Sequence, residues 1–199
     1  MPDNKILSVP VHHLNLGQAR HIRAGERRVL TAIGKYSTLA PVAVGRLGLE
    51  GDEQVDLSVH GGLEKAVYAY PAEHYAFWQQ QRRERGVSLL EEPLPPGFVG
   101  ENLTVGGPLE AQVYVGDRLV FPDCVLRVTA PREPCYKFNA VMGFAQAGRA
   151  MALAGCCGYY LAVEQPGTIA AGQAATLVPG QRALSIAQAF AARFAKHAH

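Results

Sequence analysis

Arg118-Leu119-Val120-Phe121-Pro122-Asp123-Cys124-Val125-Leu126-Arg127-Val128-Thr129 decides the fold class. It reads as two short strands, Arg118–Phe121 and Val125–Thr129, with a Pro-Asp break between them. In the second, Val125, Arg127 and Thr129 alternate with Leu126 and Val128, the period of a two-sided strand. The same pattern extends in both directions. Lys5–Val11, Arg28–Ile33, Val42–Leu49, Lys65–Tyr70 and Glu101–Val105 lie upstream, Tyr159–Glu164 and Ala175–Val178 downstream. The 21 glycines and 13 prolines fall mostly between these stretches, as tight β connections require. Helices are fewer. Pro71 starts one, with Glu73 in its first turn, Trp78 on a packing face and Gly86 as its stop. Ala145–Leu153 makes a second. Ser185 caps a third from Ile186 to about His197, with Ile186, Phe190 and Phe194 on one stripe. The chain is therefore mainly β: a barrel of short antiparallel strands with peripheral helices. Residues 1–182 form the barrel domain and 183–199 a C-terminal helical tail.

Composition narrows the function classes. With 48% apolar and 18% charged residues, the chain of 199 can build an ordinary globular core. A formal charge of +2 gives no argument for a nucleic-acid partner. No stretch approaches about 20 uninterrupted apolar residues, so no membrane span is expected. Met1–Pro10 lacks a basic region followed by a long apolar run, so no secretory signal is expected either. Four cysteines in such a chain point to reduced thiols in the cytoplasm. Their spacing matches neither a Cys-x-x-Cys pair nor a zinc site.

The Val125–Thr129 strand runs into Pro131-Arg132-Glu133-Pro134-Cys135-Tyr136-Lys137-Phe138. Arg132 and Lys137 lie within three residues of the Cys135 sulfur and favour its ionised form. The two prolines stiffen the approach, and Tyr136–Val141 suits a short helix with Cys135 at its start. A thiolate so placed is a nucleophile or a soft metal ligand. A buried structural cysteine fits the same run.

Other polar runs are weaker alone. Val59-His60-Gly61-Gly62-Leu63-Glu64-Lys65 reads as a glycine turn with a surface histidine, or as an anion cradle with Lys65 for charge. Gly100-Glu101-Asn102-Leu103-Thr104 is a turn whose amide suits the edge of a heterocycle. Lys35, Arg46 and Arg132 are each able to meet a phosphate. His12 and His13, adjacent on a strand, should face opposite ways and read as structural. Asp52, Glu53 and Asp56 read as a loop of solvated acids.

The ordered set of these runs resembles the MOSC domain, named for the C-terminal domain of molybdenum cofactor sulfurase. Gly51-Asp52-Glu53-Gln54, Val59-His60-Gly61-Gly62 and Lys65-Ala66-Val67-Tyr68-Ala69-Tyr70-Pro71 carry the likeness first. Gly100–Thr104, Val115-Gly116-Asp117-Arg118 and Pro131–Cys135 follow in the same order, over about residues 30 to 180. The Glu73-His74-Tyr75 continuation and the tail after Ser185 are most similar to stand-alone bacterial members, the kind that protects bacteria from N-hydroxylated purines. Two positions depart from the family pattern: Leu161, where a basic residue is usual, and Gln173, in place of the aspartate of a Gly-Asp turn.

The resemblance implies a β-barrel that carries the molybdenum cofactor (Mo-molybdopterin), with Cys135 as catalytic cysteine and protein ligand to the metal. His60, Gly61, Gly62, Lys65, Asn102 and Arg132 are the implied cofactor-binding residues. It also implies an oxidoreductase that reduces a small N-hydroxylated base or amidoxime. No Fe–S, haem or flavin motif is present, so electrons would come from a separate reductase protein. Two alternatives remain: a sulfur carrier with a persulfide on Cys135, and a carrier of the cofactor without turnover.

Overall fold

The computed structural model describes residues 7–55, 61–88 and 93–195. The strand that alternates at Val125–Thr129 runs from Val125 to Pro131 (β10), with Leu126 and Val128 buried, and forms a seam with Tyr159–Gln165 (β11). From there the sheet continues in both directions until it meets itself. β11 pairs with Val67–Pro71 (β7), β7 with Leu103–Val105 (β8), and β8 with Leu7–Leu16 (β1). On the other side β10 pairs with Arg118–Val120 (β9), and β9 with Ala174–Val178 (β13). The pairing of β1 with β13, Leu7↔Leu177 to Pro10↔Ala174, closes a seven-stranded barrel. Every seam is antiparallel except β7–β8, which is parallel.

The rest decorates this barrel. Tyr36–Thr38 (β4) extends β1, Val42–Gly45 (β5) joins Gly48–Leu49 (β6) and Gly167–Ile169 (β12), and Arg20–Ala24 (β2) and Arg27–Thr31 (β3) form a separate hairpin. Pairing there is set by the two-residue turn Gly25-Glu26, where Gly25 takes φ +64°. The helices are Tyr75–Glu84 (α1), Tyr136–Met142 (α2), Ala147–Ala154 (α3) and Ile186–Ala195 (α4). β2, β4 and β12 lie outside the strands read from sequence: two are three residues long, and β2 alternates arginine and histidine with apolar residues too sparsely to signal. The last two residues of the expected C-terminal helix, 196–197, and the remaining tail residues, 198–199, lie outside the described residues.

Local signals account for the helices. Pro71 leads into a 3-10 turn, Ala72–His74, before α1. Ser185 caps α4 as expected: its Oγ accepts the Gln188 N–H at 3.2 Å, and Gln188 Oε1 accepts the Ser185 N–H at 3.0 Å. Ile186 and Phe190 are buried, so α4 is packed on the barrel next to β10. His12 and His13 depart from alternation. A β-bulge between Val11 and His13 breaks the register, and both histidines are exposed.

Two ties hold the barrel end that faces α1 and α2. Trp78, fully buried, donates its indole N–H to the Tyr70 hydroxyl at 2.6 Å and meets Phe138 edge-on, with centroids 5.2 Å apart. Tyr70 and Tyr68 in turn donate their hydroxyls to the carbonyls of Cys156 (3.1 Å) and Cys157 (2.8 Å). Gly158 then enters β11 at φ +64°, and a Cβ there would sit 2.5 Å from the Ala69 carbonyl oxygen. Only glycine fits that approach.

Trp78→Ala removes the joint between α1, β7 and α2. It should cost about 3–5 kcal/mol, read as a lower urea midpoint at unchanged slope.

Candidate functional site

β10 ends at Pro131, and the next four residues carry the chain across one mouth of the barrel to α2. Arg132 is buried there, 4% exposed. Its guanidinium lies 4.7 Å from the Phe138 ring centroid and 5.3 Å from that of Tyr68. Nη1 of Arg132 is buried without a hydrogen-bond partner. Burial opposes its charge, but a guanidinium is basic enough to stay protonated at physiological pH all the same. Burial also raises the Tyr68 and Tyr160 phenols, which are therefore neutral at physiological pH.

Cys135 immediately precedes α2, in extended backbone at φ −122°, and its carbonyl accepts the Phe138 N–H at 2.9 Å. It lines an open cleft with about 680 Å³ of empty space, solvent at the mouth included. The same cleft is lined by Gly61, Lys65, Asn102 and Arg132, so five of the seven residues expected from sequence meet in one place. Gly62 stands just before the 3-10 turn Leu63–Lys65, at φ 79°. His60 lies outside the described residues, as does Asp56.

The four cysteines are now distinguishable. Burial pushes the Cys124 thiol up to about 11 and Cys156 up to about 12, and raises Cys157 as well. All three are buried, whereas Cys135 is half-exposed and faces the cleft. None of the four forms a disulfide.

The opposite wall holds residues that sequence reading placed elsewhere. Asp52 was expected among solvated acids; its side chain is 2% exposed. It pairs with the buried ammonium of Lys35 and accepts the Gly17 N–H at 2.6 Å and the Asn102 amide at 2.8 Å. Lys35, noted above for phosphate, is therefore engaged with a carboxylate. Asn102 donates also to the Asn15 carbonyl at 3.3 Å and accepts the Tyr68 N–H at 3.1 Å. Its amide thus ties β7 to the Asp52 loop and forms part of the cleft wall. Behind it, fully buried Glu101 accepts from the hydroxyls of Tyr75 and Thr104 and from the Gly97 N–H. Thr31, Ile33, Tyr68, Lys137 and Tyr160 also line the cleft. Lys137 is marked in the sequence by its nearness to Cys135 and Tyr68 by the Lys65–Pro71 run; Thr31, Ile33 and Tyr160 carry no local motif, which is why the sequence did not single them out.

Among the described residues no group of three or more His, Cys, Asp or Glu side chains could hold a metal ion. A metal at Cys135 would need its other ligands from a bound cofactor.

The MOSC domain family model matches residues 56–176. The chain belongs to the MOSC domain family. Among its relatives, YflK of Bacillus subtilis is 35% identical over 87% of this chain and 75% of its own length. A reductase of Gibberella moniliformis is 31% identical over 75% of this chain, which spans only 26% of that longer protein. Among solved structures, YiiM from Geobacillus stearothermophilus superposes with a TM-score of 0.75 at 30% identity, covering 96% of this chain and 86% of that one. The MOSC assignment also gives the barrel its family context: the cleft lies in a domain associated with the molybdenum cofactor. No helix among the described residues is long and apolar enough to cross a membrane.

Two measurements probe this geometry. Limited alkylation with iodoacetamide, read by peptide mass, should label Cys135 first and leave Cys124, Cys156 and Cys157 unmodified until the protein unfolds. Asp52→Ala leaves the Lys35 ammonium buried and unpaired, and should lower unfolding free energy by about 3–5 kcal/mol.

Proposed function

We propose that this protein binds the molybdenum cofactor in the cleft through Cys135 and reduces N-hydroxylated bases or amidoximes. The observation that carries this reading is the pairing of an accessible thiol, Cys135, with a buried guanidinium nitrogen of Arg132 that has no hydrogen-bond partner among the described residues. A soft sulfur ligand and an unsatisfied cationic donor in one cleft suit a metal-bearing cofactor with anionic oxygens. Lys65 and Gly61 line the cleft, Gly62 follows directly, and together they would help hold its phosphate. Bound there, the cofactor would supply the two-electron chemistry that converts N–OH to N–H.

The protein's own groups do the remaining work. Arg132 holds a fixed positive charge in a mostly aromatic setting, where it acts strongly on an anion. The neutral phenol of Tyr160 and the Lys137 ammonium line the cleft and are placed to donate hydrogen bonds to a bound base. The Lys35–Asp52–Asn102 wall keeps the cleft's shape rigid, so orientation does not have to be established anew with each substrate. Reduction of one N–OH group takes two electrons and two protons and releases water. The electrons would come from a separate reductase, since the chain has no flavin, haem or Fe–S motif of its own. The Gibberella relative named a reductase and the MOSC membership support an oxidoreductase. Four cysteines without a disulfide fit a reducing, cytoplasmic setting.

The test is elemental analysis of wild type and Cys135→Ser purified from a host that makes the cofactor. Near-stoichiometric molybdenum is expected in wild type and little in the variant, with N-hydroxypurine reduction lost in parallel. Arg132→Gln should weaken cofactor retention about ten- to a hundredfold while Cys135 stays alkylatable. Absence of molybdenum from freshly purified wild type, with a mass gain of one sulfur on Cys135, would replace this reading with a sulfur carrier.

A further inference from the structure

The β2–β3 hairpin lies outside the barrel and reaches the cofactor cleft only through Thr31, at its end. It pairs with no other strand among the described residues. It carries Arg20, Arg23, Arg27 and Arg28 against one acid, Glu26, a formal +3 within a chain of net +2, so all the rest of the chain sums to −1. Arg118, Arg127, Arg182 and Arg193 each pair with a carboxylate. Among the described residues none of the four hairpin arginines does, and all four are exposed.

Register sorts the side chains. Arg20↔Thr31, Ile22↔Val29 and Ala24↔Arg27 share one face; His21↔Leu30 and Arg23↔Arg28 share the other. Ile22 and Val29 are half-buried, and β2 packs against α2, so the first face turns inward. The outward face presents His21, Arg23, Arg28 and Leu30, the last 41% exposed. Arg23 and Arg28 stand directly opposite each other. Like charges in that position destabilise a sheet, and a two-stranded hairpin has little stability of its own. No carboxylate of the described chain offsets the repulsion. An external surface rich in carboxylates would.

The hairpin also leads to the chemistry. β3 ends at Thr31, and Thr31, Ala32, Ile33 and Lys35 line the cleft. β2 packs against α2, the helix that begins right after Cys135. A protein seated on the outward face therefore lies against the cleft wall. We infer that this face docks an acidic electron-transfer protein, carrying a flavin or an iron–sulfur centre, that delivers the electrons used in the cleft. This rests on the proposed reductase reading. For each N–OH reduced, the docked donors give up two electrons in total and are oxidised by the same amount; two protons enter from solvent and one water leaves. A protein suits the surface better than a nucleic acid, because the excess charge ends with the hairpin instead of continuing as a track along the molecule. Arginine beside an exposed leucine is the composition of a protein interface.

Binding is measured first, by titration of the full chain with flavodoxin as the acidic probe, and with cytochrome c as a basic control. Flavodoxin should bind wild type at 50 mM salt, at least tenfold more weakly at 200 mM, and at least tenfold more weakly to Arg23→Glu/Arg28→Glu; cytochrome c should not bind. Arg23→Gln/Arg28→Gln should fall between. The single variant Arg28→Glu, which turns a like-charge pair into an opposite one, should melt no lower than wild type while binding more weakly. Equal flavodoxin binding by wild type and the double variants overturns the inference. So does no binding, tighter binding to phosphatidylserine vesicles or duplex DNA, or hairpin-dependent self-association in place of flavodoxin binding.

Turnover separates the two readings. With dithionite-reduced methyl viologen, which needs no docking, the cofactor-loaded Arg23→Glu/Arg28→Glu variant should match wild type. With reduced flavodoxin it should be at least tenfold slower. Equal loss with both donors overturns the docking assignment. A loaded wild type inactive with viologen counts against the reductase reading, and the binding titration still decides the docking surface.

Discussion

Seven short strands bury a core only if the sheet closes, and the pairing of Leu7–Pro10 with Ala174–Leu177 is the contact that closes it. An open sheet of these lengths would leave two edges and an exposed apolar face. Closure places Val9, Val11, Leu14, Leu119, Leu126, Leu161 and Leu177 in one buried cluster. It also gathers the loops after β3, β6 and β10 at one mouth. The cleft is thus a consequence of closure: Ile33, Asp52, Lys65, Asn102, Cys135 and Tyr160, all in its walls, come from segments that have no local reason to meet.

Within that mouth the residues divide by what they are bonded to. Asp52, Lys35 and Asn102 satisfy one another and the backbone of Gly17, Asn15 and Tyr68, so the wall they form is already complete. Arg132 differs. It lies against two aromatic rings, Tyr68 and Phe138, and Nη1 has no acceptor among the described residues. A buried unpaired donor carries a cost in the protein alone, and a bound anionic group removes it. The aromatic column Tyr70–Trp78–Phe138 fixes that geometry from behind, since Phe138 is at once the partner of Trp78 and of Arg132.

The distribution of charge follows the same division. Outside the hairpin, Arg118, Arg127, Arg182 and Arg193 are each paired with a carboxylate. The hairpin gathers four arginines that pair with none among the described residues, and its two central arginines face each other on a ribbon whose inner face carries the half-buried Ile22 and Val29. Stability favours a different residue at one of those positions. A site that retains such a conflict is one where interaction with another molecule outweighs self-consistency.

Contiguous residues determined what depends on local period and local caps. The alternation at Val125–Thr129, the start at Pro71, the stop near Gly86 and the Ser185 cap of α4 all act within a few residues, and all are legible without a fold. The Pro-Arg-Glu-Pro-Cys run likewise marks Cys135 by its neighbours. Tertiary structure alone decided which cysteine opens onto a cleft, because burial of Cys124, Cys156 and Cys157 is set by strands and helices far away in sequence. It decided that Asp52 is an internal partner of Lys35 and Asn102 instead of a solvated acid, across separations of 17 and 50 residues. Hydrogen bonds within a turn are written in neighbouring residues; those across a closed barrel exist only once the chain has brought distant residues together.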